Sequence, residues 1–131
     1  MFSHVTLGTN DFARALAFYD TLLAPLGLVR RETDAAEALA GYATPTDEGR
    51  PFWVMRPLDG REATVGNGTT TAFEAPDRAT VRAWHAAGLA AGATEVGAPG
   101  LRPHYHPDYY GAYLRDPDGH KLCCVCHRAE E

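Results

Sequence analysis

"YYGAYLRDPDGHKLCCVCH", residues 109–127, decides the fold: two strand-like runs meet at a Pro/Asp/Gly turn. In Asp116-Pro117-Asp118-Gly119 the proline presets φ, the carboxylates can bond nearby backbone, and the glycine supplies conformational freedom, so a hairpin is expected. "GNGTTTAFEAPDRATVRAWHAAGLAAGATEV", residues 66–96, gives a short strand and then a helix opened by "APD" and stopped at Gly92. With an extended run and a long loop between helix and hairpin, the second half is strand, helix, strand, loop, strand, strand.

The first half has the same order. "FSHVTLGT", residues 2–9, alternates with the period of a half-buried strand: Val5 and Leu7 face a helix and His4 lies on the other side. Asn10 is in place to cap "DFARALAFYDTLLAPLG", whose Phe12, Ala15, Leu16, Tyr19 and Leu23 form one apolar stripe ending near Pro25 and Gly27. Extended runs follow near 28–32, 37–43 and 51–56, separated by charged or Pro/Gly-containing turns. At an ungapped offset of 66, Leu7 pairs with Phe73, Asp11 with Asp77, Phe18 with Trp84 and Leu23 with Leu89. These matches are mostly apolar helix positions, but the shared element order supports a two-module chain, about 1–60 and 66–128.

At 131 residues the chain fits one domain, large enough to hide roughly two-thirds of its unfolded surface without a disulfide or structural metal. The formal net charge is −5, with acids and arginines dispersed; no basic stripe invites nucleic acid. No window approaches the roughly 18 apolar residues of a membrane span. Cys123, Cys124 and Cys126 cannot close a long loop between them. Free thiols suit a reducing compartment, so a soluble cytoplasmic protein is expected.

The chain resembles the vicinal oxygen chelate superfamily, which includes glyoxalase I, the bleomycin-resistance proteins and the extradiol dioxygenases. "HVTLGTNDFARALAFYDTLLAPLGL" (4–28), the 66–93 segment and the 109–127 hairpin carry the resemblance, which covers almost the whole chain. It implies an α+β fold in which two βαβββ modules pair curved mixed sheets around an open cleft, and a homodimer. It also implies metal ligands on the first and last strand of each module. His4 matches the first ligand position; Thr70 and Cys123 fall where metal-using relatives carry His and Glu, and the fourth place lies near Trp53. Replacing His by Thr and Glu by Cys removes basicity and charge, so no cofactor is expected, although a divalent ion (Zn, Ni or Fe) stays open.

Strand alternation separates the thiols of "CCVCH". Cys124 and Cys126 are expected in the core, while Cys123 points into the cleft, where with His4 it could form a catalytic Cys/His pair. His104 and His106, flanked by Pro103 and Pro107, are expected on extended backbone. Two ligands there would leave most of a metal's coordination sphere to water. The same loop offers Tyr105, Tyr109 and Tyr110 as apolar walls with polar ends for an organic ligand, and Arg102 for a carboxylate or phosphate. Arg56 and Arg115 are further candidates, as are Trp53 and Thr70 on the cleft wall; Asp116 and Asp118 are turn residues with no chemistry. Three functions remain in view: a glyoxalase-like lyase or isomerase with a degenerate metal site, a metal-free protein that sequesters a small molecule, and a scaffold or regulatory module that associates through its sheets.

Overall fold

The computed structural model describes residues 1–130. Its elements are β1 (Val5–Gly8), α1 (Phe12–Leu22), β2 (Val29–Asp34), β3 (Leu39–Ala43), β4 (Phe52–Met55), β5 (Thr71–Glu74), α2 (Arg78–Ala90), β6 (Thr94–Leu101), β7 (Tyr110–Arg115) and β8 (Lys121–Cys126). They build two four-stranded mixed sheets, ordered β1-β4-β3-β2 and β5-β8-β7-β6. In each the first strand runs parallel to the last and the remaining pairs are antiparallel. The architecture is α+β, with two βαβββ modules whose sheets do not close.

The register exposes the repeat. Thr6 opposite Trp53 in one module becomes Ala72 opposite Cys123 in the other. The offset of 66 thus holds through the first strand, while the last strands match at a wider spacing because the second module carries the longer loop before its hairpin. Both helices are capped by aspartate: Asp11 accepts from the Arg14 N–H and Asp77 from the N–H and hydroxyl of Thr80. Asn10 is therefore not the cap of α1. Its side chain instead both donates to the Ala63 carbonyl and accepts from the Ala63 N–H, tying the inter-module linker to the start of the helix.

Alternation sends one face of each sheet into a single shared core. Phe18, Tyr19 and Leu22 of α1 and Val81 and Trp84 of α2 pack with Tyr42, Phe52, Val54, Leu114 and Leu122. Tyr19, Phe52, Phe73 and Trp84 form a chain of ring contacts from one module to the other, with centroids 5.1, 5.3 and 6.4 Å apart. Cys124 and Cys126 lie in this core as expected, and burial pushes the Cys124 thiol up to about 12. His4, Thr6, Trp53 and Met55 in one sheet, and Ala72, Tyr113, Arg115, Lys121 and Cys123 in the other, fall on the faces no helix covers.

The Asp-Pro-Asp-Gly turn does more than reverse the chain. Asp116, 4% exposed, accepts from the Tyr19 hydroxyl and from the N–H groups of Asp118 and His120. Asp118 accepts from the Thr9 hydroxyl, the Asn10 N–H and Arg14, and His120 donates its Nε2–H to the Gly8 carbonyl at 2.7 Å. The last hairpin is thus clasped to the junction of β1 and α1, more than 100 residues away in sequence. Among the described residues no helix is long and apolar enough to cross a membrane.

Candidate functional site

The densest chemistry on a helix-free face lies over β7 and β8. Cys123 and Tyr113 are cross-strand partners. The Tyr109 hydroxyl comes down over both, 2.7 Å from the Tyr113 hydroxyl and 3.6 Å from the Cys123 sulfur. Cys123 is 1% exposed as a result. Desolvation raises the Tyr109 and Tyr113 phenols above the ordinary tyrosine range, and raises the Cys123 thiol too, although its phenol hydrogen bonds and the charges of Arg102 and Lys121 act in the opposite sense. At neutral pH the site therefore presents two neutral phenols over a neutral thiol.

The loop from Arg102 to Tyr109 delivers this arrangement as two consecutive turns, not as the extended segment its prolines imply. Its base is closed by the Arg102 N–H on the Tyr109 carbonyl, and inside it Tyr105 bonds back to Arg102 and Tyr109 to His106. The coiling separates the two loop histidines. His104 packs on Tyr105, while His106 stacks on His127 with a 2.8 Å ring nitrogen contact. Tyr105, 60% exposed, stands 4.8 Å from the Tyr109 ring. The Arg102 guanidinium donates to the Ala98 and Gly100 carbonyls and lies 5.6 Å from the Tyr113 ring centre, with the Lys121 ammonium 5.4 Å from the same ring.

Other residues singled out in the sequence lie elsewhere. Tyr110 is a correction: as the first residue of β7 it has the opposite parity to Tyr113, and packs against Arg78 and Arg82 of α2. Trp53 covers Gly41, with ring atoms 2.9 Å from where a Cβ on Gly41 would sit. The modules thus fill equivalent places reciprocally, Trp53 over Gly41 in one and Tyr113 beside Cys123 in the other. Thr70 is exposed just before β5. Arg115 donates to the Gly119 carbonyl, and Arg56 lines a separate groove with Thr9 and Glu62. His4 is exposed, hydrogen-bonded to the Ser3 hydroxyl at 2.9 Å, and lines a groove of about 280 Å³ with Phe2, Leu28, Phe52, Phe73 and Glu74. Cys123 does not line that groove, and the two side chains bond to different partners, His4 to the Ser3 hydroxyl and Cys123 to the Tyr109 hydroxyl, so they share no hydrogen bond. Tyr113 and Lys121 were not picked out from sequence. The hairpin register carries the signal, because the five-residue connection Asp116–His120 sets Arg115 opposite Lys121 and Tyr113 opposite Cys123.

The implied metal does not fit this donor set. Trp53 has no lone pair to offer, Thr70 is a neutral hydroxyl, and Cys123 is a thiol shielded by Tyr109, which leaves His4 as the one ordinary metal ligand at the four implied positions. Among the described residues no three His, Cys, Asp or Glu side chains gather as an ion site.

The shield over Cys123 predicts thiol behaviour. All three cysteines are buried, so the folded protein should react slowly with an aromatic disulfide reagent, faster as pH rises because burial raises the thiol range. Tyr109→Ala should make one thiol react at least tenfold faster, and adding Cys123→Ser should remove that gain. Unchanged kinetics in Tyr109→Ala would show that the ring does not guard the sulfur.

The family profile of the Glyoxalase/Bleomycin resistance protein/Dioxygenase superfamily matches residues 1–124. A glyoxalase/bleomycin resistance protein from Albidiferax ferrireducens T118 superposes with a TM-score of 0.85 at 39% identity, over 98% of this chain and 99% of that one. A glyoxalase-related enzyme from Fulvimarina pelagi gives 0.73 at 20% identity, over 96% and 87%. A lactoylglutathione lyase from Agrobacterium tumefaciens gives 0.66 at 20%, over 96% and 92%, a likeness of fold. No curated protein matches. The paired modules, the first-strand parallel pairing in each sheet and the full-length match at 39% identity lead to one assignment: the chain belongs to the Glyoxalase/Bleomycin resistance protein/Dioxygenase superfamily.

Proposed function

We propose that the chain binds a small organic molecule on the helix-free face of its second sheet, without a metal ion. One observation carries this reading: the Tyr109–Tyr113–Cys123 hydrogen-bonded chain, held by a folded loop, with the exposed ring of Tyr105 beside it. Such a surface offers apolar area with a few oriented polar groups, which is what a metal-independent site for an organic molecule requires. The three free, buried thiols fit a reducing cytoplasm, and a homodimer is part of the same reading.

The test is a titration with benzyl alcohol followed by amide NMR. Saturable shifts should centre on Tyr105, Tyr109, Tyr113 and Cys123, persist in the presence of a chelator, and weaken in Tyr105→Ala. Shifts centred on His4, or dependence on added metal, would overturn it. A glyoxalase-like lyase is the second reading, favoured by the His4 groove, where an imidazole held by Ser3 shares an apolar pocket with Glu74. Turnover of a hemithioacetal that disappears in His4→Ala would establish that reading in place of the first; we expect no turnover.

A further inference from the structure

The helix-free face of the second sheet carries an electrostatic conflict. Arg115 and Lys121 are direct cross-strand partners, and alternation puts both side chains on the same face as Tyr113. Like charges in that relation repel. Arg102 adds a third cation, beside the Tyr113 ring that Lys121 also approaches. Elsewhere Arg14 pairs with Asp118, Arg30 with Asp20, Arg50 with Glu32, Arg78 with Glu130 and His85 with Glu95; among the described residues Arg31, Arg56, Arg61, Arg82 and Arg128 form no ion pair either, and what sets this face apart is the cross-strand register of Arg115 and Lys121 with Arg102 beside them. Among the described residues Arg102, Arg115 and Lys121 have no carboxylate partner, although the chain carries 17 acids against 12 lysines and arginines. Glu74 shares the face but is registered opposite Val125, four positions along β8 from Lys121, roughly 13 Å at strand spacing. Glu95 is taken by His85.

Concentrated, uncompensated charge that works against local sheet stability marks a place where a ligand supplies the missing sign. The aromatic part of the face limits what that ligand is. Arg102 has two of its nitrogens committed to the Ala98 and Gly100 carbonyls, and Arg115 has one on Gly119. The guanidinium forks are therefore partly engaged, and the face acts on an anion mainly through its field and the free Lys121 ammonium. Rings of Tyr105 and Tyr109 stand at the border of this positive zone, and because the Tyr109 and Tyr113 hydroxyls share one hydrogen bond, the pair has one O–H left to donate.

Building on the small-molecule reading above, we propose that this face takes an organic anion with an aromatic body: an aryl carboxylate or aryl phosphate, its acidic group set among Arg102, Arg115 and Lys121 and its ring against Tyr105 and Tyr109.

The experiment compares benzoate, phenyl phosphate and neutral benzamide by calorimetry and amide NMR at low salt. Benzoate or phenyl phosphate should bind about tenfold tighter than benzamide and lose affinity as salt is raised. Lys121→Gln should weaken the anion about fivefold and leave benzamide unchanged. Removing Lys121 also relieves the cross-strand repulsion, so this variant is expected to fold at least as well as the parent. The preferred anion, benzoate or phenyl phosphate, identifies the acidic group. Equal binding of benzamide and benzoate, or an unchanged anion affinity in Lys121→Gln, overturns the anion assignment and leaves the small-molecule reading intact. Failure of all three probes to shift Tyr105, Tyr109 or Tyr113 overturns both.

Discussion

Asp116→Ala is expected to cost about 3 kcal/mol of folding free energy and to lower the melting temperature on the order of 10 °C. The carboxylate is buried and collects one hydroxyl and two backbone donors. Truncation strands all three: the Tyr19 hydroxyl inside the core, and two N–H groups in a turn whose shape they fix. Each buried donor without an acceptor costs roughly 1–3 kcal/mol, and partial access of water to the turn keeps the sum below three full penalties. Tyr19→Phe removes only one donor and should cost about 1 kcal/mol. The double variant Tyr19→Phe/Asp116→Ala should therefore be less damaging than the two losses added, since the pair shares one bond. Urea unfolding at unchanged m-value measures all three. Full additivity in the double variant would show that Asp116 acts through the backbone turn alone.

That clasp also shows where the sequence could be read and where it could not. The hairpin, the two amphipathic helices and the duplicated order follow from periodicity and turn residues, which are local properties. The Asp-Pro-Asp-Gly stretch is legible as a turn for the same reason. Its second duty is not, because Thr9, Asn10, Arg14 and Tyr19 lie about 100 residues away and nothing local marks them as its partners. The site divides in the same manner. Alternation separates Cys124 and Cys126 from Cys123, and the core confirms where the first two go. The loop from Arg102 to Tyr109 defeats local rules: two prolines favour extended backbone, yet the bond between Arg102 and Tyr109 closes it into turns. That closure sends Tyr110 toward α2 and Tyr109 over Cys123, although the two tyrosines are adjacent in sequence. The cap of α1 fails differently. Asn10 and Asp11 are both good caps, and the choice between them is made by the linker, which claims the Asn10 side chain through Ala63.

Trp84→Ala is expected to be at least as damaging, at about 4 kcal/mol, whereas Trp84→Phe should cost only about 1 kcal/mol. Trp84 is fully buried on α2, where its ring meets Phe73 at 6.4 Å and closes the chain of aromatic contacts between the modules. Alanine removes the whole ring system at the point where both sheets share their core. The cavity it leaves cannot easily collapse, because Leu114 and Leu22 already crowd the same helix at Gly88, where an added Cβ would fall 2.3 and 3.0 Å from their methyl groups. Phenylalanine keeps most of the ring contact and removes something unfavourable: among the described residues the indole N–H has no hydrogen-bond partner. Deleting a buried, unpaired donor returns part of the energy lost with the smaller ring, which is why the two variants should separate by about 3 kcal/mol and not by the area of one ring alone. Paired urea denaturation curves decide it. A Trp84→Phe variant as unstable as Trp84→Ala would mean that the indole N–H is satisfied, by a buried water or otherwise, and that the helix–sheet contact depends on the full indole shape.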